Sequence, residues 1–517
     1  MEARTDLRKR TLSQLASLNG EVGVNPLAKA QLTEWVSTEH QLMDSGEQWR
    51  FFHSMRSPRH RLSRVLWAAF LETPVEWAYV VSVLDPIGNG CRPQIEPLSE
   101  GLARGILAGA SEARCLLQEC TQLVVSDDEA LSCLMIGNVD VAPDHVADLT
   151  AALRSLRASA GELAVFLSTK YLPYASTEAG VGEERYAVWS AHEFGEGFDL
   201  VGVYESCWDE IRGLDRELAS VANSILPGSS AQEVVAMFNS DPAAKLSVGE
   251  GLRSWLEAKS REVAEMLDGS FVGIPEHYRS VRFVVDGVQS PATVSVLPGA
   301  VDRSRSGSFH IRAADGVQVP IWSLQSLVHG FVFPGQHLLN CYLCDSESSV
   351  QTFQRVLASQ CSRGGWIVHS MSLVSDLARD QDDLSLLLSA LYSRRRQLIR
   401  AGCDIGYHLG LQVPTSAPAM HGAQWTDDLV QYAFCEWGYL VDELAATETR
   451  RLVTNPAHGV AGVVGGRLHE ASMRAARRNW GRPFDFQAYY ERAISVTPMS
   501  AQGLEAQLFD IANDPRM

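Results

Sequence analysis

Apolar residues recur at helical spacing along most of the chain. Leu7, Leu12, Leu15 and Leu18, for example, share one face of a helical segment. The same spacing of apolar residues predicts helices over residues 5–18, 146–170, 205–225 and 250–268. It also predicts helices from about residue 322 to 515, with a proline-rich break at 414–418. The pattern therefore predicts a mainly helical protein.

One stretch departs from this pattern. Residues 281–286 read VRFVVD, and two further short apolar runs follow at 292–297 and 308–312, with glycine, proline and serine between them. Short runs rich in β-branched and aromatic residues, bounded by turn residues, are typical of strands. We predict a small antiparallel β element at about 281–313 inside the helical protein.

Composition places the chain among ordinary globular proteins. It has 517 residues, of which 46% are hydrophobic and 21% charged. This length is enough for a large core or for more than one domain. We divide the chain into an N-terminal helical region, residues 1–150, which carries no motif that we can match, and a larger helical region, residues 151–517, which contains the β element.

Charge and apolar run length argue against two classes of partner. The formal net charge is −18, which repels the phosphates of nucleic acid and of anionic membranes. The longest apolar runs, such as residues 75–84, fall short of the ~20 residues that span a bilayer, and the N-terminus lacks the apolar stretch of a signal peptide. Ten cysteines without a secretory signal are expected to be reduced thiols, so we predict a cytoplasmic protein.

Six short segments, taken in order, resemble a bacterial family known as domain-of-unknown-function family 885. They are residues 182–186 (GEERY), 334–338 (PGQHL), 364–366 (GGW), 404–411 (DIGYHLGL), 425–426 (WT) and 481–485 (GRPFD). Members of this family resemble zinc metallopeptidases. The resemblance implies a zincin- or metallocarboxypeptidase-like helical scaffold around a deep cleft.

The chain departs from the family at the residues that should hold zinc. The family pattern is His-Glu-x-x-Pro-Gly-His-His-Leu, and here Gly330 and Phe331 stand at the His-Glu positions and Gln336 replaces the first His after the glycine. Gly364 stands where the family has the Glu of Glu-Gly-Trp. Catalytic zinc needs about three protein ligands and a carboxylate near its bound water. The resemblance therefore implies the scaffold without its metal chemistry, and we expect no metal and no cofactor.

The strongest remaining candidates lie at a spacing of four residues. Arg396, Arg400, Asp404 and His408 would form one row on a helix. Asp404 could orient His408 for general acid–base catalysis, and Arg400 could keep Asp404 ionised or anchor an anionic group of the substrate. The alternative is a structural ladder of ion pairs.

His337 is the third catalytic candidate, since the resemblance puts it at the floor of the cleft. Cys341 and Cys344 follow on the same helical face, so the three could bind a metal or could simply form a buried stripe. His329 and His369 could converge with His337 and His408 on one cavity, or each could be an ordinary polar residue. We predict His329, His369, Trp366 and Gln336, together with Arg400, as substrate-binding residues.

Three functions remain open, and the third is the least favoured. The first is a metal-independent enzyme on a degenerate peptidase-like scaffold, which would perform acid–base chemistry on a small or peptide-like molecule in bacterial specialised metabolism. The second is a non-catalytic protein whose cleft binds a ligand or a protein. The third is a metallohydrolase with a rebuilt His/Cys site. A glycine-rich run at 459–466 lacks the spacing of a nucleotide-binding loop, and the sequence sets no oligomeric state.

Overall fold

The computed structural model describes residues 2–18, 25–50, 90–125, 143–269, 271–287, 293–300, 306–313, 316–345, 351–356, 359–481, 483–497 and 500–514. The first half of the chain contains α1 (Glu2–Ser17), α2 (Pro26–Asp44), α3 (Ile95–Arg104), α4 (Ala110–Val125), α5 (Pro143–Phe166), α6 (Gly182–Phe194), α7 (Leu200–Ile225), α8 (Ala231–Ser240) and α9 (Glu250–Leu267). The second half contains α10 (Ile321–Phe331), α11 (Gln336–Asp345), α12 (Thr352–Val356), α13 (Gln360–Asp380), α14 (Leu384–His408), α15 (Asp427–Tyr432), α16 (Asp442–Thr454), α17 (His458–Asn479), α18 (Phe486–Ile494) and α19 (Ala501–Asn513).

The strands are β1 (Lys245–Ser247), β2 (Val281–Gly287), β3 (Thr293–Leu297), β4 (Gly307–Ala313) and β5 (Gln318–Pro320). They form one sheet in the order β2-β4-β3 and one antiparallel pair of β1 with β5. The predicted β element is confirmed at its predicted place. β3 and β4 pair antiparallel as expected, with Thr293 opposite Arg312, whereas β2 pairs with β4 in parallel.

The mainly helical fold is confirmed, and the predicted helical segments correspond to α1, α5, α7, α9 and the run from α10 to α19. No helix within the described ranges is both long enough and apolar enough to cross a bilayer. Residues 75–84 lie outside those ranges. Residue 150 falls inside α5, and the division of the chain at that point remains a prediction.

Side-chain caps fix where the central helices begin. The Ser359 hydroxyl accepts a hydrogen bond from the backbone amide of Ser362 at the start of α13, and the Asp383 carboxylate accepts one from the amide of Leu386 at the start of α14. Such caps satisfy amides that have no partner within the helix, each stabilising it by about 1 kcal/mol. Two long helices of the second half therefore start at points set by the local sequence.

The centre of the fold is α14, which is buried on all sides along most of its length. It packs against α7, α13, α10 and α17. A helix that is surrounded in this way must satisfy its polar side chains internally. This explains why Arg400 and Asp404 in its second half have specific partners in other elements.

The closest helix pair is α13 with α17, and glycine makes this contact possible. The Cβ atom of an alanine at position 365 would lie 2.7 Å from the Gly465 Cα atom, and one at position 465 would overlap the Cys361 carbonyl oxygen. Gly364, next to Gly365, faces Gly462, whose Cα atom would lie 3.2 Å from a Cβ atom added at position 364. The two backbones therefore touch, which only residues without a Cβ atom allow.

We predict that Gly465→Ala destabilises the protein by about 3 kcal/mol, because the added methyl group must push two backbones apart. Urea unfolding of the variant should show a lower midpoint than the wild type. Gly213→Ala is the matched control, since Gly213 is also inside a helix but has open space around it. It should raise stability by about 0.5–1 kcal/mol. Equal stability of the two variants would contradict the tight contact.

Candidate functional site

An open cavity lies between α10, α13, α14, α16 and α17, with Val294 of β3 on its rim. It encloses about 1320 Å³ including its mouth. Its wall has an apolar part, formed by Val294, Leu327, Phe331, Ile367, Val368, Met371, Phe434, Leu440 and Leu444. Its polar part is formed by Gln360, Ser393, Arg396, Gln397, Arg400, Thr447, Glu448, Arg451 and His458, and Gly364, Gly459 and Gly462 complete the wall.

Glu448 is the only carboxylate in the described wall, and two arginines bind it. Its Oε2 atom accepts hydrogen bonds from Nε and Nη2 of Arg400 at 2.9 and 2.6 Å, and its Oε1 atom lies 3.1 Å from Nη1 of Arg451. Although burial acts to raise the pKa of Glu448, the two guanidinium groups lower it to about 2. Glu448 is therefore ionised at neutral pH, and Arg400 and Arg451 are held on it.

Arg396 differs from these two arginines. Its Nε atom donates to the carbonyl oxygen of Tyr392 on its own helix at 3.3 Å, and the described residues offer it no carboxylate within ion-pair distance. Burial and the neighbouring charge of Arg400 lower the pKa of Arg396 to about 10. A guanidinium with this pKa is still charged at pH 7, so Arg396 brings an uncompensated positive charge to the wall.

His458 is the first residue of α17 and the only histidine in the described wall. Its Nδ1 atom lies 3.4 Å from Oε2 of Glu193 on α6. A carboxylate next to one ring nitrogen fixes the orientation of an imidazole. Nothing in the sequence pattern marked His458, although Asn455-Pro456 just before it is a typical start of a helix.

Asp404 holds this histidine in place through the backbone. Its carboxylate accepts hydrogen bonds from the backbone amides of Ala457 and Gly459, both at 2.9 Å, and from the Tyr186 hydroxyl at 2.8 Å. Burial raises the pKa of Asp404 to about 7, although the three hydrogen bonds favour the ionised form and act to lower this pKa. Since the two amides flank His458, Asp404 is a positioning group for the start of α17.

The predicted pairs of Asp404 with His408 and of Arg400 with Asp404 do not form, and this is a correction. Arg400 binds Glu448 and Gln397 instead, and the acceptor capacity of Asp404 is used by the start of α17. His408 donates from Nε2 to the Leu452 carbonyl oxygen at 3.0 Å. Burial lowers the pKa of His408 to about 3, so this ring is neutral, and it contributes nothing to the cavity wall.

His337 is also buried away from the wall. Its Nε2 atom lies 2.8 Å from the Tyr278 carbonyl oxygen, and burial lowers its pKa. Cys341 is close, with 3.6 Å between its sulfur and the same nitrogen. Within the part of the chain that the structure describes, no three His, Cys, Asp or Glu side chains gather as a metal ion requires. Gln336, at the start of α11, is half-buried and lies outside the cavity wall.

The four predicted histidines do not converge on one point, because each ring has different neighbours. His329 pairs its Nδ1 atom with the Gln325 carbonyl oxygen of its own helix at 2.9 Å. His369 stacks on His469, with 5.3 Å between ring centroids, beside Trp366. The Trp366 indole donates to the Pro334 carbonyl oxygen, and burial lowers the pKa of His369 to about 3. These side chains are buried, and none of them lines the cavity.

Of the predicted site residues, the structure therefore brings Arg400 to the cavity and Asp404 to a small recess that shares Arg400 and His458 with it. Sequence reasoning missed His458, Glu448 and Arg451. The i, i+3 spacing of Glu448 and Arg451 on one helix was a readable signal of an ion pair. Their contact with Arg400 depends on how two distant helices pack, which no local pattern reveals.

Comparison with known proteins gives a fold and a family. A family model described as "Bacterial protein of unknown function (DUF885)" matches residues 1–508. The fold is similar to the crystal structure of a candidate lipoprotein from Colwellia psychrerythraea, with TM-score 0.78 and 14% identity over 99% of this chain and 91% of that one. It is also similar to a candidate lipoprotein of unknown function from Shewanella oneidensis, with TM-score 0.66 and 14% identity over 96% and 92%. No curated protein matches the sequence.

We predict that Glu448→Gln destabilises the protein at pH 7 by about 3 kcal/mol, the order of magnitude that a pKa near 2 implies. A carboxylate with a lowered pKa stabilises the fold above its unfolded pKa of about 4.5, and that stabilisation is lost as the pH falls toward 2. Urea unfolding of both proteins between pH 7 and pH 3 measures the difference. The difference in unfolding free energy between the two proteins should be constant down to about pH 5 and should shrink below that pH.

Glu443→Gln is the control for this series, because Glu443 lies on the same helix but is exposed. Its effect should be small at every pH. A Glu448→Gln difference that does not change with pH would contradict the assignment of a low pKa to Glu448.

Proposed function

The chain belongs to the bacterial family DUF885, and we propose that it is a metal-independent enzyme that performs acid–base chemistry on a small or peptide-like molecule in the cavity. The observation that carries the proposal is that His458 lines a solvent-open cavity and has the Glu193 carboxylate beside its Nδ1 atom. Proton transfer by such a pair suits cyclisation, elimination, or the rearrangement of an amide or ester.

The position of the cavity supports the loss of metal chemistry. Phe331 and Gly364, which stand where the family resemblance places two glutamates, both line it. Gly330 stands at the first histidine of that motif, and a Cβ atom there would overlap the Met371 side chain. Glycine and phenylalanine offer no atom that binds zinc. The residues present therefore do not fit a zinc ion held in the family's manner, and no step of the proposed chemistry uses one.

A rebuilt His/Cys metal site finds little support in the donors. His337 and Cys341 are in contact, but His337 is already hydrogen-bonded to the Tyr278 backbone. In the described ranges no third candidate ligand joins them to make a metal-sized cluster. Metal binding at this pair would require both residues to leave their present contacts.

The chemistry assigned to His458 uses only groups on this chain. Glu193 lies beside Nδ1, so Nε2 is the nitrogen left to exchange a proton with a bound molecule. The imidazole would take a proton from the molecule in one step and return it in a later one, as general acid–base catalysis requires. Asp404 supports this role from behind by holding the two amides next to His458.

The second candidate is a protein that binds a ligand in the cavity without converting it. This reading is favoured by the burial of His337 and His408, which a catalytic cleft was expected to expose. Both candidates require the open cavity, and they differ only in whether His458 moves a proton. Turnover therefore separates them.

A place in the cytoplasm and in specialised bacterial metabolism is part of the same proposal. The cysteines of the described ranges are free, as expected in a reducing compartment, and this supports the cytoplasmic location. The two similar structures are titled as candidate lipoproteins, and that title describes those proteins.

The proposal is tested by incubating the purified protein with the small-molecule fraction of the cells that produce it and following all masses by mass spectrometry. We expect the wild type to convert at least one compound, and His458→Ala to slow that conversion by about 100-fold or more. Prior treatment with a metal chelator should leave the rate unchanged.

His421→Ala is the matched control, because the His421 ring contacts only the Ala417 carbonyl oxygen of its own loop and lies outside the cavity wall. It should convert the compound at the wild-type rate. Full activity of His458→Ala, or loss of activity on chelation, would refute the proposed chemistry. Absence of any conversion would favour the binding protein.

A further inference from the structure

We propose that the cavity recognises a carboxylate group through Arg396, on a molecule whose remaining body is apolar. This inference rests on the proposed function, because it takes the same cavity as the binding site. It adds the chemical class of the ligand, which neither the family description nor the acid–base chemistry specifies.

The charge of the wall is the first observation. Three guanidinium groups, those of Arg396, Arg400 and Arg451, face a single carboxylate, that of Glu448, across the described wall. The wall therefore carries an excess of two positive charges in a protein whose formal net charge is −18. A concave site of one sign in a protein of the other attracts a small ion of the opposite charge.

The second observation is that the three arginines are not equivalent. Arg400 is bound to Glu448 and Gln397, and Arg451 is bound to Glu448. Arg396 has only its Nε atom in use, on a backbone oxygen of its own helix. Its two Nη groups are the paired donors that a planar carboxylate accepts, so one ligand carboxylate can form two parallel hydrogen bonds with them.

The distribution of the charges favours a carboxylate over a phosphate. A phosphate carries nearly two charges and is usually bound by several free donors. In the described part of the wall, Arg396 is the one cation that lacks a carboxylate partner. The other polar groups in that part of the wall are the uncharged Gln360, Ser393, Gln397 and Thr447 and the His458 imidazole. Arg396 therefore offers one pair of free donors, which matches a planar carboxylate and is fewer than a phosphate needs.

The rest of the wall sets the other part of the ligand. Nine apolar side chains, including Phe331, Met371 and Phe434, line the cavity alongside the polar groups. Burying an apolar surface against them is favourable by about 25 cal/mol per Å². An aliphatic or aromatic body attached to the carboxylate would fill this part of the cavity.

Calorimetric titration of the full-length protein with octanoate tests the inference, with octanamide and octyl phosphate as comparison ligands. We expect one octanoate per chain, and binding of octanamide about tenfold or more weaker, since a hydrogen bond to a charged group contributes that much. Octyl phosphate should bind more weakly than octanoate. Tighter binding of octyl phosphate would overturn the assignment of a carboxylate.

Arg396→Met should weaken octanoate binding by about 10- to 100-fold while leaving octanamide binding nearly unchanged. Arg396→Lys keeps the charge but loses the planar donor pair. Its octanoate affinity should therefore lie between those of the wild type and Arg396→Met. Arg478→Met is the control, because Arg478 is exposed at the end of α17 and away from the cavity. It should bind octanoate like the wild type.

The failures of the two proposals are distinguishable. Wild-type octanoate affinity in Arg396→Met and Arg396→Lys, or no binding of octanoate to the wild type, would overturn the inference and would leave His458-dependent turnover untouched. Conversely, His458→Ala should keep octanoate affinity within about threefold, because it removes no charged contact of Arg396. Its loss of turnover with retained binding would support both proposals.

Discussion

The contact between the backbones of α13 and α17 is the constraint on which the site depends. Gly365 and Gly465 let the two helices touch, and Gly364 and Gly462 continue the contact to the edge of the cavity. Because the helices lie so close, the first turn of α17 reaches the cavity wall and places His458 there. A side chain at any of the central glycine positions would separate the helices and move that turn.

Two buried carboxylates complete the site in different ways. Asp404 on α14 binds backbone amides and so fixes the start of α17. Glu448 on α16 binds arginine side chains and so fixes Arg400 at the wall. Both carboxylates would be costly to bury without these partners. Their joint effect is a rigid polar wall in which Arg396 and His458 are the groups left to interact with a ligand.

The fold could be predicted from the sequence because its signals are local. The period of the apolar residues marked α5, α7 and α9, and short apolar runs between turn residues marked the strands β2 to β4. The parallel pairing of β2 with β4 is not encoded in either run alone. The segments of family resemblance led to the family that the whole-chain comparison confirms.

The site could be predicted only in part, because its contacts join distant elements. The spacing of Arg400, Asp404 and His408 put them on one helix, but their partners come from α16 and α17. The glycine-rich run at 459–466 lacks the spacing of a nucleotide-binding loop, and its packing role becomes visible only with the partner helix. In a helix interior, several glycines are unfavourable unless another backbone approaches closely, and that physical reason was available from the sequence.

Our central proposal is that the cavity lined by Arg396 and His458 binds a molecule with a carboxylate group and an apolar body, and that it works without a metal ion. The most direct test is a crystal structure of the protein with 8-bromooctanoate, located by the anomalous scattering of bromine. We predict a carboxylate paired with the Arg396 guanidinium and bromine density against the apolar wall around Phe331 and Met371. A metal ion bound by protein side chains in this cavity, or a ligand bound only on the outer surface, would contradict it.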